Sequence, residues 1–303
     1  MKRTTSLLSA ITLVTSSAFA ASGELKTKAK QVLETNQDSI VWLSIISKQV
    51  ISVDGDSPAQ VKINGAGNGK DQKVEVIGAI VDPSGLIVTS LATFGAGSVM
   101  DGREVETPNG IVKLKAKTDV KEVKVIMPDG SEIPADVVMK DADLDLAFFK
   151  VRTESPEAKG ITFKAIDLKN STEAGLLDDI VVIDRMDATM SRQPKVYTGE
   201  VHGIVKTPRQ FLNIQVLHPG SPVFSPDGKM IGLSVVRKST APLSGSNSQQ
   251  FVSAVLTTKD VLKIANQALA AKPTPASATS APPSQTPAPP SPPPAPEKKE
   301  EAK

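Results

Sequence analysis

Three turn signals, each set beside β-branched runs, constrain this chain more than any other feature. Pro83-Ser84-Gly85 falls inside Lys73–Val88, Pro128-Asp129-Gly130 joins Val123–Met127 to Ile133–Val138, and Pro226-Asp227-Gly228 precedes Met230–Val236. Proline presets φ and glycine supplies positive φ, so each triplet reads as a strand reversal. Ser39–Ser47, Leu144–Val151, Asp179–Asp184, Tyr197–Val205, Leu212–Val216, Val223–Phe224 and Gln250–Leu256 supply further short strands. Helical spacing is confined to two stretches. One is Glu24–Leu33; the other is Lys259–Ala271, with Val261, Leu262, Ile264, Ala265 and Leu269 on its inner face and a threonine cap at Thr257/Thr258. The pattern predicts an all-β fold. With no cysteine, that fold rests on its apolar core alone.

The two ends differ from the middle. Lys2 and Arg3 precede an apolar run, Leu7–Val14, and an Ala18-Phe19-Ala20 site. A basic start, a short apolar stretch and an A-x-A site mark residues 1–20 as a cleaved export signal. The apolar part is too short to span a bilayer, which takes about 20 residues. Removing Lys2 and Arg3 lowers Lys+Arg from 35 to 33, against 33 Asp+Glu. A formally neutral product argues against nucleic acid as a partner and against stable membrane insertion. Residues 272–303 hold 11 of the 23 prolines and end in a charged run, which predicts a disordered, semi-rigid spacer. Between the ends lies a domain of residues 21–271. Asp54–Gln72 reads as a loop rich in Gly, Asp and Asn.

Three segments carry a resemblance. Gly78–Ala92 (GAIVDPSGLIVTSLA) and Asp129–Val151 (DGSEIPADVVMKDADLDLAFFKV) resemble the histidine- and aspartate-bearing hairpins of HtrA-type, trypsin-like serine proteases. Leu217–Ser225 (LHPGSPVFS) is similar to the family's GNSGSPVFN. Asp179–Asp184 resembles its GDWVVAIG strand, and the segment around His202 its VTSGIV strand. The resemblance covers roughly residues 36–270. It implies two six-stranded β-barrels of the chymotrypsin/trypsin type, about 36–155 and 160–258, followed by a C-terminal helix. No PDZ domain is expected after it.

The same alignment puts Ala92 at the histidine position, Asp145 at the aspartate position and Pro219 at the nucleophile position. A serine hydroxyl needs an imidazole to take its proton, and the aspartate only orients that imidazole. A methyl group at Ala92 supplies no base. Pro219 has neither a hydroxyl nor the backbone N–H that the oxyanion hole uses, a loss of about 3–4 kcal/mol in transition-state stabilisation. Leu217 replaces the glycine that opens the motif. The expectation is therefore no catalysis, with Asp145 kept as a buried cap for backbone N–H groups. His218 and Ser221 are the weak candidates for a rebuilt dyad. Against them, Ser221 matches a small residue that points away from the cleft, and His202 sits in a strand. Two histidines and no cysteine argue against a metal site, and no cofactor is expected.

In related proteases the strand after the nucleophile pairs with extended substrate. The equivalent residues are Gly232, Leu233, Ser234, Val235 and Val236, which are expected to hold peptide or unfolded envelope-protein segments by strand addition. Three functions compete: an exported pseudoprotease in a bacterial periplasm or outside the cell, an active endopeptidase with a non-standard site, and an envelope scaffold tethered by its Pro-rich tail. The stretch Ala92–Lys121 is longer than the family norm and is expected to cover the old cleft.

Overall fold

The computed structural model describes residues 14–53, 69–95, 100–102, 104–107, 110–215, 218–238 and 251–272. Most of the 54–72 loop, most of the expected export signal and all but Lys272 of the Pro-rich tail lie outside them.

Among the described residues a first helix, α1 (Val14–Asn36), leads into thirteen strands. The first group is β1 (Ile40–Val53), β2 (Asp71–Asp82), β3 (Leu86–Ser90), β4 (Glu104–Thr107), β5 (Gly110–Ile126), β6 (Glu132–Asp141) and β7 (Leu146–Val151). The second is β8 (Asp179–Arg185), β9 (Pro194–Val205), β10 (Phe211–Ile214), β11 (Pro222–Phe224), β12 (Met230–Lys238) and β13 (Phe251–Thr257), and α2 (Thr258–Ala270) closes the chain. In the first group the order β1-β2-β3-β7-β6-β5 closes through a β1–β5 ladder, with β4 added outside β5. In the second, β10-β13-β12-β11-β8-β9 closes through β9 and β10. Both are six-stranded antiparallel barrels, the chymotrypsin-like arrangement. Closure removes the sheet edges that would otherwise stay unpaired.

The strand sequences are nearly continuous in apolar residues because several strands bury both faces. Along β7, Ala147, Phe149 and Val151 fill the first barrel, while Leu146 and Phe148 face the core between the barrels. Along β8, Ile180 and Val182 fill the second barrel, while Val181 and Ile183 join that same shared core. A period of two is present, but burial on both sides hides it from the sequence. Arg185 adds a polar staple between the barrels: its Nε donates to Ile40 O at 2.5 Å and its Nη2 to Gln37 O at 2.6 Å.

The turns sit where the triplets indicated. Gly85 has φ +80°, its N–H donates to Asp82 O at 2.9 Å, and a Cβ there would lie 2.9 Å from Val151 Cβ. Only glycine fits both the backbone angle and that approach.

Five expectations need correction. The second barrel does not begin near Ile161: residues 161–178 form an irregular connection packed down by Phe163, Ile166 and Leu168, and the first strand starts at Asp179. The 92–121 stretch does not fold over a cleft as far as it is described. Its β4–β5 hairpin continues the β1 ladder, with Val53 opposite Leu114, because alternation in IVKLKAKTDV turns Leu114 and Val120 inward. The first helix is longer than Glu24–Leu33 and docks Ala29 and Val32 on the shared core. At α2, Thr257 takes the cap position, but its hydroxyl bonds Asp260 Oδ2 at 3.2 Å instead of a backbone N–H. The neighbouring Thr258 ties the helix down by donating to Met230 O at 3.0 Å.

The inner face of α2 is Val261, Ile264, Ala265 and Ala268; Leu269 is 44% exposed. Ile264→Ala should therefore cost about 2–4 kcal/mol in urea denaturation, against under about 1 kcal/mol for Leu269→Ala. Equal losses would show the helix docked on another face. No helix among the described residues is long and apolar enough to cross a membrane.

Candidate active-site seam

Asp145 stands immediately before β7 with φ 59°, a left-handed geometry that aspartate tolerates better than most residues. Its carboxylate is 5% exposed and fully engaged. Oδ1 accepts the Ala92 N–H at 2.7 Å, and Oδ2 accepts the Ser90 hydroxyl at 2.5 Å and the Val236 N–H at 2.6 Å. Its own carbonyl accepts the Leu91 N–H at 3.0 Å. One side chain thus ties the turn after β3 to β7 and to β12 of the other barrel. Burial pushes its carboxyl above the ordinary range, a tendency only partly offset by the Ser90, Val236 and Ala92 donors and the nearby Arg237.

Pro219 lies in the turn before β11, and the turn is pressed against the first barrel. Gly220 has φ +96°, and a Cβ on it would meet Ile77 O at 2.6 Å and Thr89 Oγ1 at 2.7 Å. Its N–H donates to Ser234 O at 2.8 Å. Ala92 and Asp145 are thus in direct contact, and Pro219 lines one cleft with Thr93, the residue after Ala92.

The two weaker candidates are held apart. Ser221 is fully buried, its N–H donates to His218 O at 3.1 Å, and its hydroxyl has no partner among the described residues. The His218 side chain is half-exposed, and its Nδ1 bonds the Asp184 carboxylate rather than Ser221. Among the described residues no three His, Asp or Glu side chains are grouped to hold a metal ion.

The strand expected to take peptide is more occupied than the sequence suggests. Gly232 pairs with Val223 on one side and Thr257 on the other, and Leu233 with Pro222 and Leu256. Ser234 N–H donates to Ser221 O, Val235 pairs with Ala254, and Val236 gives its N–H to Asp145. Residues 232–235 therefore have no free ladder position, because the turn before β11 already occupies that side. Among the described residues, what remains unpaired on that side is the end of β12 beyond the Val236 N–H.

A profile of the trypsin-like peptidase domain matches residues 76–233, just over half of the chain and part of each barrel. The chain belongs to that family. No curated protein matches it. Sequence reading missed Ser90, which supplies a hydroxyl to Asp145 from within the quoted VTSLA segment. It also missed Asp184, which sits 1% exposed behind His218. The signal for Asp184 was an acidic residue closing an otherwise apolar strand, DIVVID.

Proposed function

We propose that this chain is an exported, catalytically silent member of the trypsin-like family that holds peptide or envelope-protein segments without cutting them. The observation that carries the reading is the Asp145 carboxylate. Its oxygens are occupied by Ser90, Ala92 and Val236, with a methyl group at residue 92 where a base would be needed. Pro219 adds the lack of a hydroxyl and of an N–H at the position that attacks a carbonyl and then stabilises its oxyanion. The scaffold keeps its fold without those groups because its stability comes from inward-facing apolar side chains. Peptide holding draws on the open end of β12, from the Val236 carbonyl to Lys238, as a short site for strand addition. Export draws on the Lys2/Arg3, apolar and A-x-A pattern.

The test is incubation of the purified chain with unfolded casein, with a serine-directed fluorophosphonate in parallel. Intact casein and an unlabelled chain are expected. Cleavage that disappears in Ser221→Ala or His218→Ala would overturn the proposal. Family membership and the His218–Asp184 pair favour a second reading, an endopeptidase with a non-standard base, and that same result would establish it. A tail-tethered envelope scaffold predicts instead that deleting residues 272–303 abolishes function while leaving the seam intact.

A further inference from the structure

His218 is not explained by the fold. Its imidazole is bonded through Nδ1 to a carboxylate buried in the second barrel. Asp184 is 1% exposed and is held in place by the Arg185 N–H on Oδ1 at 2.7 Å. Its Oδ2 is shared by His218 and by Lys195, whose Nζ lies 3.4 Å away. Two donors of potential positive charge thus share one carboxylate oxygen, and that oxygen lies behind them. His218 keeps Nε2, and Lys195 keeps ammonium protons, for another partner.

Both groups line an open cleft of about 340 Å³. Opposing charge there is already engaged. Glu75 is held by Arg192 Nη2 at 2.9 and 3.0 Å. Asp187 caps its own turn, accepting Thr189 N–H at 2.9 Å and Met190 N–H at 3.3 Å. Arg185 also lines the cleft, and its guanidinium donates to the carbonyls of Ile40, Arg192 and Gln37. The Lys195 ammonium stays charged: burial opposes this, but Tyr197 and Asp184 together hold its pKa above the ordinary value. The remaining wall is Trp42, Val76, Ile77 and Pro219, with Thr93, whose hydroxyl donates to Ser90 O at 2.6 Å. Trp42 is fixed by its own Nε1–H donating to Met186 O at 3.1 Å.

We propose that this cleft binds an organic carboxylate carried on an apolar group, with Lys195 and His218 taking the carboxylate and the Trp42–Ile77 wall taking the apolar part. A carboxylate has two acceptor oxygens, which match the Lys195 ammonium and the Nε2–H that His218 carries as an imidazolium, its Nδ1–H being given to Asp184. A volume near the lower end of small-ligand sites fits one amino-acid-sized group. The source is either the last residue of a peptide or a free small acid. This inference does not depend on whether the seam cuts peptides.

The protein carries its own probe, because Trp42 is its only tryptophan and lines the cleft. Tryptophan emission is titrated with N-acetyl-leucine, with a tetra-alanyl-leucine peptide bearing a free carboxylate, and with the C-terminal amide of each. Saturable changes with the acids and none with the amides are expected. Response to N-acetyl-leucine alone identifies a free acid as the ligand, and response to the longer peptide identifies a chain terminus. Lys195→Met and His218→Gln, checked for retained circular dichroism, should each weaken the acid by about tenfold. The acid-versus-amide comparison on the unaltered chain stands even if either variant fails to fold. Equal responses to acid and amide, no response at all, or a response only to a cationic amine would overturn the proposal.

Discussion

Gly232→Ala should destabilise the domain by about 3–5 kcal/mol and lower its melting temperature by about 10 °C or more. Gly232 lies in β12 between Val223 and Thr257, with both neighbours hydrogen-bonded in ladders. A Cβ at this position would fall on the Leu256 carbonyl oxygen and within 2.7 Å of Val255 Cγ1. The oxygen belongs to the backbone of β13, so no rotamer change relieves the overlap and the β12–β13 ladder itself must part. Leu256 and Leu233, both fully buried in the shared core, would shift with it. Gly199→Ala in β9 is the control, since a Cβ there finds only Ile180 Cγ1 at 3.9 Å and should cost less than about 1 kcal/mol. Urea denaturation of the two variants decides the matter. Similar midpoints would mean that β12 and β13 are not packed this closely.

Replacing Asp145 by alanine is expected to cost a comparable amount, about 3–5 kcal/mol. The change strands the Ser90 hydroxyl, which is fully buried, together with the Ala92 and Val236 N–H groups, and it unlinks the two barrels at one point. Asp145→Asn retains the shape but removes the titration, so it isolates the pH dependence. Burial holds the folded carboxyl above its ordinary value of 3.8, so the folded state takes up the proton more readily than the unfolded chain. The contribution of Asp145 to stability is then fully present below the unfolded value and declines as pH rises through the raised folded value. Wild-type protein should accordingly show its largest advantage over Asp145→Asn in acid, and a smaller one at neutral pH. A carboxylate dominated by its hydrogen bonds would give the opposite trend. An advantage that grows with pH would therefore show that the three donors outweigh burial.

Much of the fold was legible in the chain because turn chemistry is local. The triplets at 83–85, 128–130 and 226–228 needed no tertiary information, since proline and glycine restrict φ wherever they stand. The β7 sequence LAFFKV was legible as a strand, but not its orientation, because apolar residues on both faces erase the alternation that would have marked one as inner. The α2 face was misjudged at Leu269 for a related reason: helical spacing defines a stripe, and only the barrel surface decides where that stripe ends. The start of the second barrel was placed too early because residues 161–178 bury apolar side chains without forming a strand.

The candidate site divides in the same way. The assignment of residues 92, 145 and 219 rests on the family resemblance, in which they stand at fixed offsets from strands and turns. What Asp145 touches could not be read, since its three donors come from residues 90, 92 and 236. The pairing of His218 with Asp184, 34 residues away, was equally invisible. The sequence by itself determined the strands and the turns between them, because local backbone preferences and apolar patterning act over a few residues, and the family resemblance added the two-barrel architecture. The tertiary structure alone decided which polar groups satisfy one another, and that the β12 edge is mostly closed. Those outcomes depend on barrel closure bringing distant strands within hydrogen-bond reach.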